Sequence, residues 1–161
     1  MRKGKNISFS ARGGWWVVAQ APVMLLAAGL PPWTRAAWAF RPDHPLQALG
    51  WILFVVGVVL AWSGVRTFGR ALTPFPRPSD NAVLRQQGVY GIVRHPIYAG
   101  LILGAIGWAL AWMSWPGLVY VVPLAIFFDR KAAYEEGWLR RKFRAYPSYQ
   151  KKVKKLIPWI Y

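Results

Sequence analysis

Residues 98–128 read YAGLILGAIGWALAWMSWPGLVYVVPLAIFF, thirty-one positions without one Lys, Arg, Asp or Glu. Hydrocarbon as solvent accounts for an uncharged run of that length better than a soluble core does, since a membrane-crossing helix takes about 20 apolar residues. The run is too long for one crossing, and Ser114-Trp115-Pro116-Gly117 near its middle divides it into a hairpin. Further out, residues 46–65 and 14–30 are also free of charge. The pattern predicts an all-α membrane bundle in a single domain over 1–161. Its four membrane helices fall at about 14–33, 46–66, 97–114 and 116–130. After Arg130 an amphipathic helix is expected to about Ala145, with Pro147 ending it. Trp15, Trp16, Trp33, Trp112 and Trp115 fall near these boundaries, where indole rings favour the interface.

Lys and Arg number 21 against five acidic residues, a net charge of +16 that raises the question of nucleic acid. Their placement answers it. Four precede the first apolar run (Arg2, Lys3, Lys5, Arg12), and two follow in the next connection (Arg35, Arg41). Five lie between positions 66 and 94, none near Pro116, and ten between 130 and 155. Rich and poor segments alternate between apolar runs, which predicts both termini on the cytoplasmic side and excludes a nucleic-acid partner. The basic start and first run also have the outline of a secretory signal. That run ends, however, in Pro31-Pro32-Trp33 rather than at a small-residue cleavage site. With no cysteine and two histidines, disulfides, thiolate metal sites and cysteine nucleophiles are excluded, and no metal is assigned.

Gly50, Gly57 and Gly64 recur every seven residues in the second run, and Gly100, Gly104 and Gly107 mark one face of the third. Small residues let helices approach closely in lipid, so these read as packing seams. The connection over 67–91, with Thr73-Pro74-Phe75-Pro76-Arg77-Pro78-Ser79-Asp80-Asn81, reads as irregular and extended. The basic stretch from Gln150 to Lys155 reads as a contact with anionic headgroups.

Helix rise puts two polar motifs at one depth. From the hairpin turn back to His95 is about 20 residues or 30 Å, and forward to Glu135 about 18 residues or 27 Å. The first motif is Gly88-Val89-Tyr90-Gly91-Ile92-Val93-Arg94-His95-Pro96-Ile97-Tyr98-Ala99-Gly100. Pro96 suits a first helical position and biases His95 to an extended conformation. The free amides near 97–99 then suit an anion such as a carboxylate, with Arg94 adding a fixed charge and His95 a donor or acceptor. The bland alternative has Arg94 and His95 snorkel to headgroups. The second motif is Glu135-Glu136, the only glutamates in the chain. Helical steps back from Tyr146, Phe143 and Leu139 put Glu135 on the apolar stripe with Glu136 at its edge. A surface pair of Glu136 with Arg140 at i,i+4 would explain Glu136 alone. An anion-binding helix start beside inward carboxylates suits a mixed-charge ligand.

At these residues the chain resembles the isoprenylcysteine carboxyl methyltransferase and phospholipid methyltransferase group. The shared pattern runs from Gly88 through Gly100, then Glu135, Glu136, Leu139 and Phe143, then Tyr146, Tyr149, Val153, Ile157 and Pro158, about 66–158 in all. One departure is Phe143-Arg144-Ala145-Tyr146, which lacks the usual glycine and is one residue shorter. The resemblance implies S-adenosylmethionine as cofactor and S-adenosylhomocysteine as product, in a cytoplasmic-side pocket capped by the C-terminal segment. It implies Gly88, Tyr90, Val93, Arg94, His95, Pro96, Tyr98 and Gly100 as cofactor-binding, with the helix start near Ile97 receiving the carboxylate. Glu135 and Glu136 would take the amino group or ribose and oppose the sulfonium, and Arg94, His95 and Glu135 would be the catalytic set. The acceptor would be a lipid, a lipidated molecule or a lipophilic small molecule bearing a carboxylate, amine or thiol, reached through membrane lipids. For an amine or thiol His95 is the nearest base. Two other readings stand beside this one: an NADPH-dependent reductase of the sterol-reductase-like group, which carries a related Arg-His-Pro motif, and a non-catalytic membrane module.

Overall fold

The computed structural model describes residues 8–35, 45–69, 72–80 and 82–161. Arg2, Lys3, Lys5, Arg41, Arg70 and Asn81, which entered the charge and loop arguments, lie outside the described residues. Five helices and no strand form among the described residues: α1 Gly14–Trp33, α2 Pro45–Phe68, α3 Pro96–Ala111, α4 Trp115–Lys142 and α5 Tyr146–Lys152. Two short 3-10 turns, Ser10–Arg12 and Gly88–Gly91, precede α1 and α3.

Among the described residues, α1 and α2 are each long and apolar enough to cross a membrane. Their outward faces carry large apolar side chains with no protein cover, Leu25 at 73% exposure and Ile52 at 60%. Such surface calls for a nonaqueous neighbour. Of the other two expected spans, the third is shorter than the sequence suggested, and the fourth is the apolar start of a longer helix. α3 has 16 residues, about 24 Å of helix, and the uncharged part of α4 ends at Phe128.

The reason lies at the hairpin. Met113 takes the left-handed conformation at φ 52°, which ends α3 three residues before the expected boundary at 114. Ser114 then caps α4, its Oγ accepting from the Gly117 amide at 2.9 Å, with Pro116 in the first turn. The same Ser114 Oγ meets Thr34 Oγ1 at 2.6 Å and so joins the end of α1 to the start of α4. Gln47 Nε2 donates to the Ala111 carbonyl at 3.0 Å, satisfying an acceptor that the end of α3 leaves open.

α2 and α3 meet along the two glycine stripes. A Cβ on Gly107 would stand 2.2 Å from the Phe54 amide nitrogen, and one on Gly57 2.4 Å from that of Gly104. Backbone touches backbone there, so the stripes are a packing seam. On the other flank α1 and α4 bury Ala27, Leu124 and Phe128 together.

Beyond Arg130 the expected separate amphipathic helix does not form. α4 runs unbroken through Pro123 and position 130 to Lys142, and Phe143 turns extended at φ −117°, ψ 113°. Pro147 stands in the first turn of α5 and starts that helix rather than ending the one before, the position where its missing amide hydrogen costs nothing. The long α4 carries Glu135 and Glu136 rigidly from the hairpin to the far end of the bundle, where α3 begins.

Candidate functional site

The approach to α3 is built residue by residue. Gly88, at φ 61°, allows the turn that Tyr90 completes, and Val93 is 1% exposed. Val93 pairs with Lys154 as an isolated parallel bridge. The amides of Arg94 and His95 donate to the Lys154 and Lys155 carbonyls at 2.8 and 3.1 Å. The basic tail therefore does more than the expected headgroup contact: its backbone holds the motif in place. His95 caps α3 in a non-helical conformation, and Pro96 follows at the first helical position. The Ala99 amide is taken by the His95 carbonyl, so the first-turn amides that the helix itself leaves without a carbonyl are those of Ile97 and Tyr98.

Arg94 and His95 do not snorkel. Arg94 Nε donates to Glu136 Oε1 at 2.8 Å, and its Nη1 donates to the carbonyls of Gln150 and Val153. His95 Nε2 lies 3.1 Å from the same Glu136 oxygen, and Gln150 Nε2 donates to Oε2 at 2.7 Å. Glu136 is thus 4% exposed and partnered on both oxygens; the surface pair with Arg140 expected from the i,i+4 spacing is absent. Arg140 reaches Gln150 instead. Burial alone would raise the Glu136 carboxyl. Hydrogen bonds from His95 and Arg94 and their charges outweigh it and bring the carboxyl down to about 2.

Glu135 lives differently. Its side chain keeps 26% exposure, accepts from the Tyr98 hydroxyl at 3.1 Å and stands 3.9 Å from His95 Nδ1. Burial pushes its carboxyl above the ordinary range, against the pull of His95, the Tyr98 hydrogen bond and Lys131. The His95 and Tyr98 rings lie parallel with centroids 5.5 Å apart. Two neighbouring carboxylates thus have two environments, one locked in an ion pair and one facing open space.

That space is a cavity of about 340 Å³ between α1, the ends of α2, α3 and α4, residues 72–79 and 82–85, and the α5 region. Tyr90, Arg94, His95, Tyr98 and Glu135 line it. Gly88, Val93, Pro96, Gly100 and Glu136 do not. Each has another role: a positive-φ turn, the bridge to Lys154, the helix start, the close approach to Gly57 and Ala61, and the anchor of Arg94. Phe68, Phe75, Phe143 and Tyr146 add aromatic walls. The proline-rich stretch is tied down over the cavity, with Lys142 Nζ donating to the Ser79 and Asp80 carbonyls and the Arg77 guanidinium over the Trp138 ring. Sequence reasoning did not assign Thr73, Ser79 or Arg85 of the lining to the site, and it missed Gln20 and Lys131, which meet each other there. A signal existed for the latter two: Gln20 is a lone amide in an uncharged run, and Lys131 stands four residues before Glu135, hence on the same helix face.

The donor set fits a cationic ligand that also carries an anionic group. Aromatic faces and an inward carboxylate attract a cation, and the start of α3 attracts an anion. A sequence model of the phospholipid methyltransferase family matches residues 46–146. A probable protein-S-isoprenylcysteine O-methyltransferase of Oryza sativa subsp. indica is 33% identical over 116 residues, covering 70% of this chain and 61% of the relative. Protein-S-isoprenylcysteine O-methyltransferase B of Arabidopsis thaliana is 28% identical over 119 residues, 71% of this chain and 60% of the relative. Steroid 5-alpha-reductase DET2 of Gossypium hirsutum is 26% identical over 134 residues, 79% of this chain and 51% of the relative. The chain spans about three fifths of the length of the methyltransferase relatives and half that of the reductase.

Proposed function

The chain belongs to the phospholipid methyltransferase family, and from that premise we propose that its cavity binds S-adenosylmethionine and serves methyl transfer to a lipophilic or lipidated acceptor at the cytoplasmic face of a membrane. The observation that carries the reading is Glu135, a carboxylate facing a cavity walled by Tyr98, Tyr90, Phe143 and Tyr146 beside the start of α3. When bound, S-adenosylmethionine supplies a methyl group already activated on a sulfonium. Glu135 and the rings oppose that cation, and the first-turn amides of α3 take the carboxylate. Glu136 acts at one remove, holding Arg94 and His95 in the geometry the ligand meets. His95 Nδ1, on the side away from Glu136, is positioned to take a proton from an amine or thiol acceptor; a carboxylate acceptor needs no base. The tied stretch over 72–80 and the tail limit water, so the protein contributes chiefly orientation and a partly dry site. We further propose four membrane crossings, α3 and the uncharged part of α4 forming the second pair, with both termini cytoplasmic.

The likeness to DET2 favours a second reading, NADPH-dependent reduction. A dinucleotide brings several phosphate charges; the inward carboxylate of Glu135 repels them and Arg94 is already paired with Glu136, which leaves Lys131 and Arg85 as the wall's cations to meet them. Thermal unfolding of the purified protein with each ligand decides between the readings. S-adenosylhomocysteine at a hundred times its dissociation constant should stabilise by about 2.7 kcal/mol. A shift with NADPH and none with S-adenosylhomocysteine would transfer the site to the reductase reading.

A further inference from the structure

Lys131 is 2% exposed, yet it lines the cavity. Its ammonium donates to Gln20 Oε1 on α1, 111 residues away in sequence, and lies 5.5 Å from the centroid of the Tyr98 ring. Among the described residues no carboxylate comes within ion-pair distance of it: Arg94 holds Glu136, and Lys155 holds Asp129. A buried cation with only an amide and a ring for company is costly unless an anion completes its shell. Glu135, one helical turn along, is the nearest counter-charge, and it is taken by Tyr98 and, on the reading above, by a bound cation.

The chemistry of the pair is one-sided. An ammonium has only donors, so Gln20 must turn its oxygen to Lys131, which leaves the amide NH₂ as a donor as well. Lys131 and Gln20 together offer mainly hydrogens and one net positive charge, since the Gln20 oxygen already accepts from the ammonium. Apolar side chains of Val65, Ile97 and Leu101 line the same cavity.

We propose that Lys131 and Gln20 form the acceptor-selecting part of this cavity, and that they select an anionic, lipophilic nucleophile, a carboxylate or thiolate, over an amine. A carboxylate or thiolate has lone pairs in excess: it accepts from both donors and still presents one toward the methyl group. An amine has a single lone pair, which a hydrogen bond from Lys131 would occupy, and its protonated form meets the ammonium as a like charge. Lys131 is therefore a specificity-determining residue distinct from those that hold the methyl donor. The inference rests on the methyl-transfer reading and is tested so that the two can fail separately.

The test is equilibrium binding of chain-matched probes, dodecanoate, dodecanethiol and dodecylamine, to the full chain in zwitterionic nanodiscs saturated with S-adenosylhomocysteine, with empty nanodiscs as background. The wild type should bind dodecanoate or dodecanethiol at least about tenfold more tightly than dodecylamine. Which of the two binds tells a carboxylate from a thiolate. Lys131→Gln should erase the preference and Lys131→Arg keep it, both with unchanged affinity for S-adenosylhomocysteine; Lys152→Gln, a surface control for the basic tail, should keep both. Equal or tighter binding of dodecylamine, no binding of any probe, or a preference that survives Lys131→Gln overturns the proposal. Failure of the wild type to bind S-adenosylhomocysteine overturns instead the reading on which it rests.

Discussion

Replacing Glu136 by Gln removes one charge and almost no volume, and the structure sets how much that charge is worth. Arg94 and His95 both direct nitrogens at Oε1, and the Arg94 side chain is only 9% exposed. Bringing the Glu136 carboxyl from 4.5 down to about 2 corresponds to about 3 kcal/mol of preference for the charged form in the folded protein. Breaking a buried pair from one side costs about 3 to 5 kcal/mol, because the surviving guanidinium is left without its counter-charge. The two routes agree on about 3 kcal/mol, or about 6 to 12 °C in Tm for a domain of this size. Differential scanning fluorimetry in detergent at pH 7 reads it. The sign of the pH dependence follows from the lowered carboxyl: its stabilisation is fully present above about 4.5 and is lost as pH falls through about 2. The wild type should lose stability across that window while Glu136→Gln changes less. A double replacement, Arg94→Leu with Glu136→Leu, should cost less than the sum of the single ones. If Glu136→Gln melts within a degree of wild type, or the two leucine replacements add, the anchor described here is not what holds Arg94.

Glu135→Gln should behave in the opposite way. Since burial raises this carboxyl, its charge costs folding stability at neutral pH, so the variant should be no less stable, with the gain appearing as pH rises above the ordinary carboxylate range. Its affinity for S-adenosylmethionine by calorimetry should drop by about thirtyfold or more, the effect of losing a charge opposite a cation; wild-type affinity would remove Glu135 from the site. At the α2–α3 seam, Gly107→Ala should destabilise by about 1 to 3 kcal/mol, because its Cβ would meet the Phe54 amide at 2.2 Å, whereas Gly104→Ala, with open space at its Cβ, should be tolerated. Equal thermal midpoints for the two would refute the close approach. Single cysteines placed in this cysteine-free chain should label from the cytoplasmic side at position 150 and from the opposite side at 116. The reverse pattern refutes the proposed orientation.

Much of this was legible in the residue order because it depends on local physics. Uncharged runs specify where helices form, and Ser114-Trp115-Pro116-Gly117 specifies where the long run folds back. A constant rise per residue then brings the stretch around His95 and the Glu135-Glu136 pair to one depth without any knowledge of packing. Glycines at seven-residue spacing announced a close seam, since only backbone contact rewards the absence of a side chain so regularly.

What the glutamates do could not be read the same way. Neighbours on a helix point about 100° apart, so which one meets Arg94 depends on how α4 is rotated against α3, and many distant contacts settle that rotation together. The locked residue proved to be Glu136, which spacing alone had placed at the edge of the stripe. The tail carbonyls that hold Arg94 and His95 carry no side-chain signature at all, because every residue has a carbonyl. Lys131 and Gln20 meet only because α1 packs beside α4, and a contact across 111 residues is a property of the bundle rather than of any segment.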